Sequence, residues 1–177
     1  APLYSIFLEH SHGAVRRLGR TWQDFDPLKS TEIDSPYPFD SMSGLKSVRL
    51  PIRLGELTWP EAQMRVKEMD VAILPVGSIE QHGPHLPTGT DHILGLEFAR
   101  RVAEKTDAIL LPLIPFGFSE DHMPRPGTVT LSADTLRKVI WDVAKSLSIS
   151  KVKHIVLMSG HAGHIYQLAD VCFELNV

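Results

Sequence analysis

The stretch PVGSIEQHGPHLPTGTDH, residues 75–92, carries most of the information in this sequence. It continues an apolar run that starts at Val71 and is typical of a buried strand. The glycines and prolines that follow predict a loop. The side chains of the stretch that carry a carboxylate or an imidazole are Glu80, His82, His85, Asp91 and His92. All of them could reach one small volume at the carboxyl end of the strand, and these groups are typical ligands of Zn²⁺, Mn²⁺ and Fe²⁺.

A second cluster of histidines follows another apolar run, residues 155–158. This cluster reads SGHAGH, residues 159–164, and its glycines let the backbone approach a bound group closely. In an open α/β sheet, ligands are held by the loops at the carboxyl ends of the strands. We therefore predict one shared metal site with the ligands Glu80, His82, Asp91 and His161.

Each of these residues also has an ordinary structural explanation. Asp91 could be the N-cap of the helix that it opens, and His82 could be a hydrogen-bonded loop residue. We favour the metal because buried carboxylates and imidazoles are costly without partners, and a metal gives all of them a partner. For His164, a polar residue at a helix start and a contact to substrate stay open as alternatives.

A third polar segment, residues 117–127, follows a predicted strand and can reach the same edge of the sheet. Its sequence, GFSEDHMPRPG, is dense in ionisable groups. We predict catalytic roles for His122, which could orient substrate or water, and for Glu120, which could act as acid or base. For Asp121 and Arg125 we favour a solvated loop.

From residue 51 onward, apolar strands alternate with amphipathic helices. Thr58 and Glu61 predict the N-cap and the capping box of the first helix. The predicted strands are residues 71–76, 109–111, 128–131 and 154–158, and further helices begin at Asp91, Ser132 and His164. This alternation predicts an α/β fold with a mostly parallel sheet that is covered on both faces.

The length of 177 residues fits one domain, residues 51–177, preceded by an irregular N-terminal arm, residues 1–50. The arm is rich in proline and serine, and we expect it to wrap the domain or a neighbouring subunit. The net charge of −3 gives no argument for nucleic acid or an anionic membrane as a partner. No apolar run approaches the roughly 20 residues of a membrane span. The single cysteine, Cys172, cannot form an internal disulfide, and we expect a cytoplasmic protein.

Residues 54–175 resemble the creatinine amidohydrolase (creatininase) family. The segments that carry the resemblance are GSIEQHGPHLPTGTDH, GFSEDHMPRPGT and SGHAGH. The resemblance implies a three-layer α/β/α domain, a homo-oligomer that is often a hexamer, and two divalent metal ions. Zinc is the first choice for these ions, with manganese or iron as alternatives.

The resemblance also implies a ligand arrangement and a reaction. Glu80 and His161 would hold one metal, His82 would hold the other, and Asp91 would bridge them. A hydroxide that bridges the metals would attack a small cyclic amide and cleave its C–N bond. We therefore expect an amidohydrolase with a small-molecule substrate.

The sequence departs from the family pattern in two places. Creatininase-type members have a glutamate ligand two residues after the histidine, where this chain has Gly163, so the fifth ligand must come from elsewhere. Glu174 is the only glutamate after His161, and a core helix makes it a poor candidate. Family members continue past the position of Val177, so we expect the domain to be shortened at its C-terminus, as a fragment or as a shortened member.

Three alternatives follow from these observations. The same site could cleave a C–C bond of a cyclic diketone or open a lactone. A truncated, non-catalytic subunit for binding or assembly would also fit the departures. A serine hydrolase is not favoured, because neither Ser78 nor Ser159 lies in a nucleophile-elbow pattern.

Overall fold

The computed structural model describes residues 4–9, 16–17, 20–21 and 52–175. The strands are β1 (Tyr4–Glu9), β2 (Arg16–Arg17), β3 (Arg20–Thr21), β4 (Val71–Val76), β5 (Ile109–Leu110) and β6 (His154–Ser159). The helices are α1 (Trp59–Glu68), α2 (Thr90–Thr106), α3 (Ala133–Ile149) and α4 (Ile165–Leu175). Short 3-10 helices span Leu54–Glu56, Glu120–His122 and Ala162–His164. The other residues of the predicted N-terminal arm lie outside the described residues.

The main sheet has the strand order β1-β6-β4-β5. Strand β4 pairs in parallel with both β5 and β6, which confirms the predicted mostly parallel sheet. Strand β1 pairs antiparallel with the other edge of β6, although the sequence suggests an irregular arm there. Without β1, the backbone groups on that edge of β6 would lack strand partners. A separate hairpin is formed by β2 and β3.

Helices cover the sheet on both faces, as the pleat of its strands requires. Leu74 and Leu157 belong to a core cluster that includes Ile140 of α3 and Leu168 of α4. The alternate residues of the same strands face a second cluster, in which α2 contributes small side chains. This second cluster contains Ile73, Ala99, Ala103, Ala108, Leu110, Val156 and Met158. The observed architecture is therefore the three-layer α/β/α arrangement that the family resemblance implies.

Local hydrogen bonds explain where the helices begin. The carboxylate of Glu61 accepts from the backbone N–H of Thr58 at 2.8 Å, which ties down one of the free N–H groups at the start of α1. The hydroxyl of Ser132 accepts from the backbone N–H of Thr135 at 3.2 Å and caps α3. Both predicted helix starts are confirmed.

The predicted strand over residues 128–131 is wrong, since only one isolated bridge forms there, between Ile79 and Val129. The hydrogen bonds of this segment go to a neighbouring loop instead of a strand ladder. The backbone N–H of Leu131 donates to the carbonyl of Gly117 at 2.8 Å, and the hydroxyl of Thr130 accepts from a loop N–H at 2.8 Å. The segment therefore braces the loop that carries His122.

The register of β4 and β6 decides where functional groups can meet. Val76 and Ser159, the last residues of these two strands, are paired directly across the sheet. The segments that follow them therefore leave the same edge of the sheet side by side. Within the described residues, no helix combines the length and the apolar character needed to cross a membrane.

Substitutions on α4 test this core. Leu168 is fully buried, and Leu168→Ala should lower the free energy of unfolding by about 2–5 kcal/mol, because it removes buried methyl groups and leaves a cavity. Phe173 lies on the same helix with 73% exposure, and Phe173→Ala should change stability by no more than about 0.5 kcal/mol. Urea denaturation followed by circular dichroism measures both, and equal losses would contradict the assigned core.

Candidate metal centre

The first turn of α2 packs directly against the end of β6. A Cβ atom built on Gly160 would lie 2.1 Å from the backbone oxygen of Asp91, so no other residue fits at position 160 without moving the helix. This close approach carries the side chain of Asp91 to the segment that bears His161. Two residues that are far apart in sequence are thereby held in one place.

Three buried side chains converge at this edge of the sheet. The Nδ1 atom of His161 is 3.0 Å from Oδ2 of Asp91 and 3.1 Å from Oε1 of Glu80. One ligand atom from each of these residues lies within 4.8 Å of the other two. Among the residues that the structure describes, this is the group that could hold a metal ion.

His82 lies on the other side of Asp91. Its Nε2 atom is 3.2 Å from Oδ1 of Asp91, so the two carboxylate oxygens face two different histidines. The Nδ1 atom of His82 is 3.2 Å from the backbone oxygen of Glu80, to which it can donate as Nδ1–H. A neutral imidazole that donates through Nδ1 keeps the lone pair of Nε2 for a metal.

Two buried serines hold the carboxylate of Glu80 in place. The hydroxyl of Ser78 donates to Oε2 of Glu80 at 2.9 Å and accepts from the hydroxyl of Ser119 at 2.5 Å. Burial opposes ionisation of Glu80, but hydrogen bonds from His161, Ser119 and Ser78 outweigh it and lower the pKa of Glu80 to about 2. Glu80 is therefore ionised at neutral pH, with Oε1 turned towards His161.

The charge balance of the site fits a cation. Burial opposes protonation of His161, but hydrogen bonds to Asp91 and Glu80 outweigh it and raise the pKa of His161 to about 9. A proton on His161 thus places one positive charge beside two buried negative carboxylates. A divalent metal would place two positive charges there and balance both carboxylates. The donor set of carboxylate oxygen and imidazole nitrogen also suits Zn²⁺, Mn²⁺ or Fe²⁺.

His164 is a buried structural residue, which decides between the two alternatives that the sequence leaves open. Its Nε2 accepts from the backbone N–H of Phe118 at 3.1 Å, and its Nδ1 donates to the hydroxyl of Ser159 at 2.9 Å. Burial and the nearby charge of His161 lower the pKa of His164 to about 3, so its ring is neutral. The ring also packs edge-on against that of His161, with 4.8 Å between centroids. His164 thereby fixes the ring of His161 and joins β6 to the loop before His122.

The other candidates from the sequence lie at different distances from the cluster. His122 is close, since its Nε2 atom is 3.6 Å from Oε1 of Glu80. Glu120 is exposed and lies in the first turn of the short 3-10 helix that ends at His122. His85 is exposed as well, and the backbone of His92 packs against Gly77. Glu174, the doubtful fifth ligand, is exposed on α4.

Sequence reasoning missed Ser78, Ser119 and Gln81. Ser78 precedes Glu80 by two residues, which in an extended segment puts both side chains on one side and could have indicated the contact. Ser119 and Gln81 carry no such local signal, because their partners lie 41 residues away in the sequence.

Gly163 tests how tightly the ring of His161 is held. A Cβ atom at position 163 would lie 2.3 Å from Nε2 of His161, so Gly163→Ala should push this ring away from the carboxylates. We expect zinc binding to weaken about 10- to 100-fold, as measured by isothermal titration, with an unchanged circular dichroism spectrum. Gly89→Ala is the matched control, because its Cβ would lie no closer than 3.7 Å to a neighbouring atom. Unchanged affinity in Gly163→Ala would show that His161 is not held as described.

The pKa of His161 predicts a pH dependence of the metal-free protein. Because this pKa is raised from 6.5 to about 9 on folding, the stabilisation is fully present below pH 6.5 and is lost as the pH rises through 9. The difference in free energy of unfolding between the wild type and His161→Gln should therefore shrink over that interval. His85→Gln, at an exposed site, is the matched control and should change the free energy of unfolding by no more than about 0.5 kcal/mol. A constant difference for His161→Gln would contradict the charge balance described above.

Several known proteins are similar to this chain in sequence. Residues 55–177 match the family model described as creatinine amidohydrolase. Creatinine amidohydrolase of Pseudomonas putida is 36% identical over 114 residues, which cover 61% of this chain and 44% of that protein. Mycofactocin precursor peptide peptidase of Mycolicibacterium smegmatis is 33% identical over 70% of this chain and 51% of that protein. 3-Dehydro-scyllo-inosose hydrolase of Thermotoga maritima is 32% identical over 68% of this chain and 43% of that protein.

Solved structures agree with the sequence comparisons. A crystal structure of creatininase superposes with a TM-score of 0.66 and 34% identity, over 71% of this chain and 50% of that one. A manganese form and a Zn–Zn mutant form of creatininase each give a TM-score of 0.65 and 32% identity, over 71% of this chain and about half of theirs. The chain spans about half the length of the curated relatives that it matches. With its family match, its three-layer fold and its converging carboxylate and histidine groups, the chain belongs to the creatinine amidohydrolase family.

Proposed function

We propose that this chain provides the metal-binding part of a hydrolase that cleaves the C–N bond of a small cyclic amide. The observation that carries the proposal is the position of Asp91, whose two oxygen atoms face His82 and His161 separately. A carboxylate placed in this way can bridge two ions. Because the chain matches only about half of each relative, the activity is proposed for the whole protein to which this fold belongs.

The geometry suggests how two ions would be shared. Glu80, His161 and Asp91 would hold the first ion, because their ligand atoms converge. His82 and Asp91 would hold the second, because they lie together on the other side of the Asp91 carboxylate. When bound, such ions make water a strong nucleophile near neutral pH and polarise a carbonyl oxygen. Zinc is the first choice, with manganese or iron as alternatives, and the Zn–Zn and manganese forms of similar creatininases support the first two.

The residues around the proposed ligands restrain the side chains of these ligands. Ser78 and Ser119 restrain one oxygen of Glu80, and His164 restrains the ring of His161. Mutation of such partners of metal ligands typically lowers metal affinity or activity by about 10- to 100-fold. His122 lies beside the cluster and is about one-third exposed, which supports the proposal that it contacts the substrate. Glu120 is exposed and is the weaker of the two catalytic candidates.

Two relatives suggest other substrates for the same site. One is named as a peptidase of the mycofactocin precursor peptide, and the other as a hydrolase of 3-dehydro-scyllo-inosose. A peptide amide therefore stands as a second candidate substrate. Cleavage of a C–C bond or opening of a lactone, on the same ligands, is the third. A substrate panel must include all of these classes beside cyclic amides.

Asp91→Asn tests the shared site. An amide oxygen is a weaker ligand than a carboxylate and Asn cannot supply two anionic oxygens, so metal content should fall from about two equivalents per chain to one or fewer. Hydrolysis of cyclic amides should fall by at least about 100-fold. Elemental analysis of the purified protein and a chromatographic assay of ring opening provide the two measurements.

Asp142→Asn is the matched control, because Asp142 is exposed on α3 and its substitution makes the same chemical change. It should leave metal content and turnover unchanged. Wild-type protein that binds one ion or none, and hydrolyses no member of the panel, would overturn the proposal. That result would favour a non-catalytic binding or assembly subunit.

A further inference from the structure

Gln81 makes an unusual set of contacts that the proposed reaction does not use. Its side chain extends from the ligand loop to the segment that carries His122. The Nε2 atom of Gln81 is 2.9 Å from Nδ1 of His122. On the other side of the amide, Oε1 is 3.2 Å from the backbone N–H of Gly83.

The backbone N–H of Gly83 decides which of these groups donate a hydrogen bond and which accept one. A backbone N–H group can only donate, so the amide atom of Gln81 that faces Gly83 must be the oxygen. The amide atom that faces His122 is then the NH₂ group, which also can only donate. Nδ1 of His122 must therefore accept, and a neutral ring carries its single proton on Nε2.

A second link fixes the same two segments through the main chain. The backbone N–H of Gln81 is 3.3 Å from the hydroxyl of Thr128, and that hydroxyl donates to the carbonyl of His122 at 3.1 Å. Side-chain and main-chain contacts thus hold Gln81 and His122 in one relative position. Because neither residue can move away easily, the NH₂ group of Gln81 stays directed at Nδ1 of His122, and Nδ1 stays the acceptor.

The opposite side of the ring faces the metal ligands. Nε2 of His122 is 3.6 Å from Oε1 of Glu80, which is longer than a hydrogen bond. The ring centroid lies 6.0 Å from that of His161, in an edge-on arrangement. The Nε2–H group therefore lies at the border of the cluster, on a ring that is partly exposed, where a substrate can approach it.

We propose that Gln81 is a positioning residue that holds His122 as an Nε2–H hydrogen-bond donor for the carbonyl oxygen of the substrate. The statement about the substrate rests on the proposed function, whereas the statement about the ring rests on the contacts alone. A donor placed where negative charge develops on oxygen stabilises the transition state of amide hydrolysis. In this state His122 is neither a general base nor a metal ligand through Nε2, because either role needs a lone pair on that atom.

The proposal predicts what a carboxylate at position 81 would do. A carboxylate can only accept, so Gln81→Glu should draw the proton of His122 to Nδ1 and leave the lone pair on Nε2. Gln81→Met keeps the size of the side chain and removes the hydrogen bond, so it should give a mixture of both tautomers. Gln81→Met would therefore remove the preference of His122 for the Nε2–H tautomer without adding a charge near Glu80.

The test is nitrogen-15 NMR of the full chain with labelled histidine, recorded with and without zinc. Long-range proton–nitrogen couplings distinguish the two tautomers, and His122→Gln identifies the resonance. We expect Nε2–H in the wild type, Nδ1–H in Gln81→Glu and a mixture in Gln81→Met. Gln63→Glu, on the exposed side of α1, is the matched control and should leave the spectrum of His122 unchanged. A wild-type ring protonated on Nδ1, or one coordinated to zinc through Nε2, would overturn the proposal.

A kinetic arm separates this proposal from the proposed function. With a cyclic amide as substrate, Gln81→Glu should lower kcat by about 100-fold with unchanged zinc content, because a transition-state donor is lost while the ligands stay. If the NMR result is as expected but no amide is hydrolysed by the wild type, the proposed function fails and the assignment of the ring stands. If amides are hydrolysed and Gln81→Glu keeps its full kcat, the donor role of His122 is excluded.

Discussion

The close approach of α2 to the end of β6 is the constraint on which the rest of the site depends. A glycine at position 160 lets the backbone of Asp91 come nearer than any Cβ atom would allow. The buried small residues Ala99 and Ala103 keep the same helix close to the sheet along its length. The carboxylate of Asp91 thus reaches two histidines from different segments because of backbone packing, and no long flexible side chain is involved.

Several neighbouring groups stabilise the two buried negative charges at this contact. Two buried carboxylates within about hydrogen-bond distance of one imidazole would repel each other strongly without a positive charge between them. The raised pKa of His161 keeps its ring protonated and supplies that charge. The hydroxyl of Ser78 further stabilises the carboxylate of Glu80 by donating a hydrogen bond to it. The neighbouring His164 stays neutral because it is buried and lies beside the charged ring. Similar side chains within one short sequence segment therefore differ in charge because of their surroundings.

The sequence predicts much of this arrangement, and the physical reasons are specific. Strands such as β4 are apolar throughout because a parallel sheet is covered on both faces, which makes them easy to recognise. Their carboxyl ends lie at one edge, so the grouping of Glu80 with His161 can be predicted from the strand positions alone.

What the sequence does not predict depends on contacts between distant segments. The apolar residues 128–131 resemble a strand, yet their hydrogen bonds go to the loop around Gly117 and Ser119. The strand β1 is stabilised by its pairing with the open edge of β6, which no local pattern reveals. The partners of Gln81 and Ser119 each lie 41 residues away in the sequence. For that reason, which nitrogen of His122 accepts a hydrogen bond can be assigned only from the three-dimensional structure.

The order in which the chain is synthesised gives the site a further property. Glu80, His82 and Asp91 lie on one short connection and leave the ribosome together, whereas His161 follows Asp91 only after 70 residues. These early residues cannot form the buried cluster by themselves, because His161 is missing from it. The cluster forms only when β6 has paired with β4 and has placed His161 beside Glu80 and Asp91. Completion of the central sheet and assembly of the cluster are therefore one step in folding.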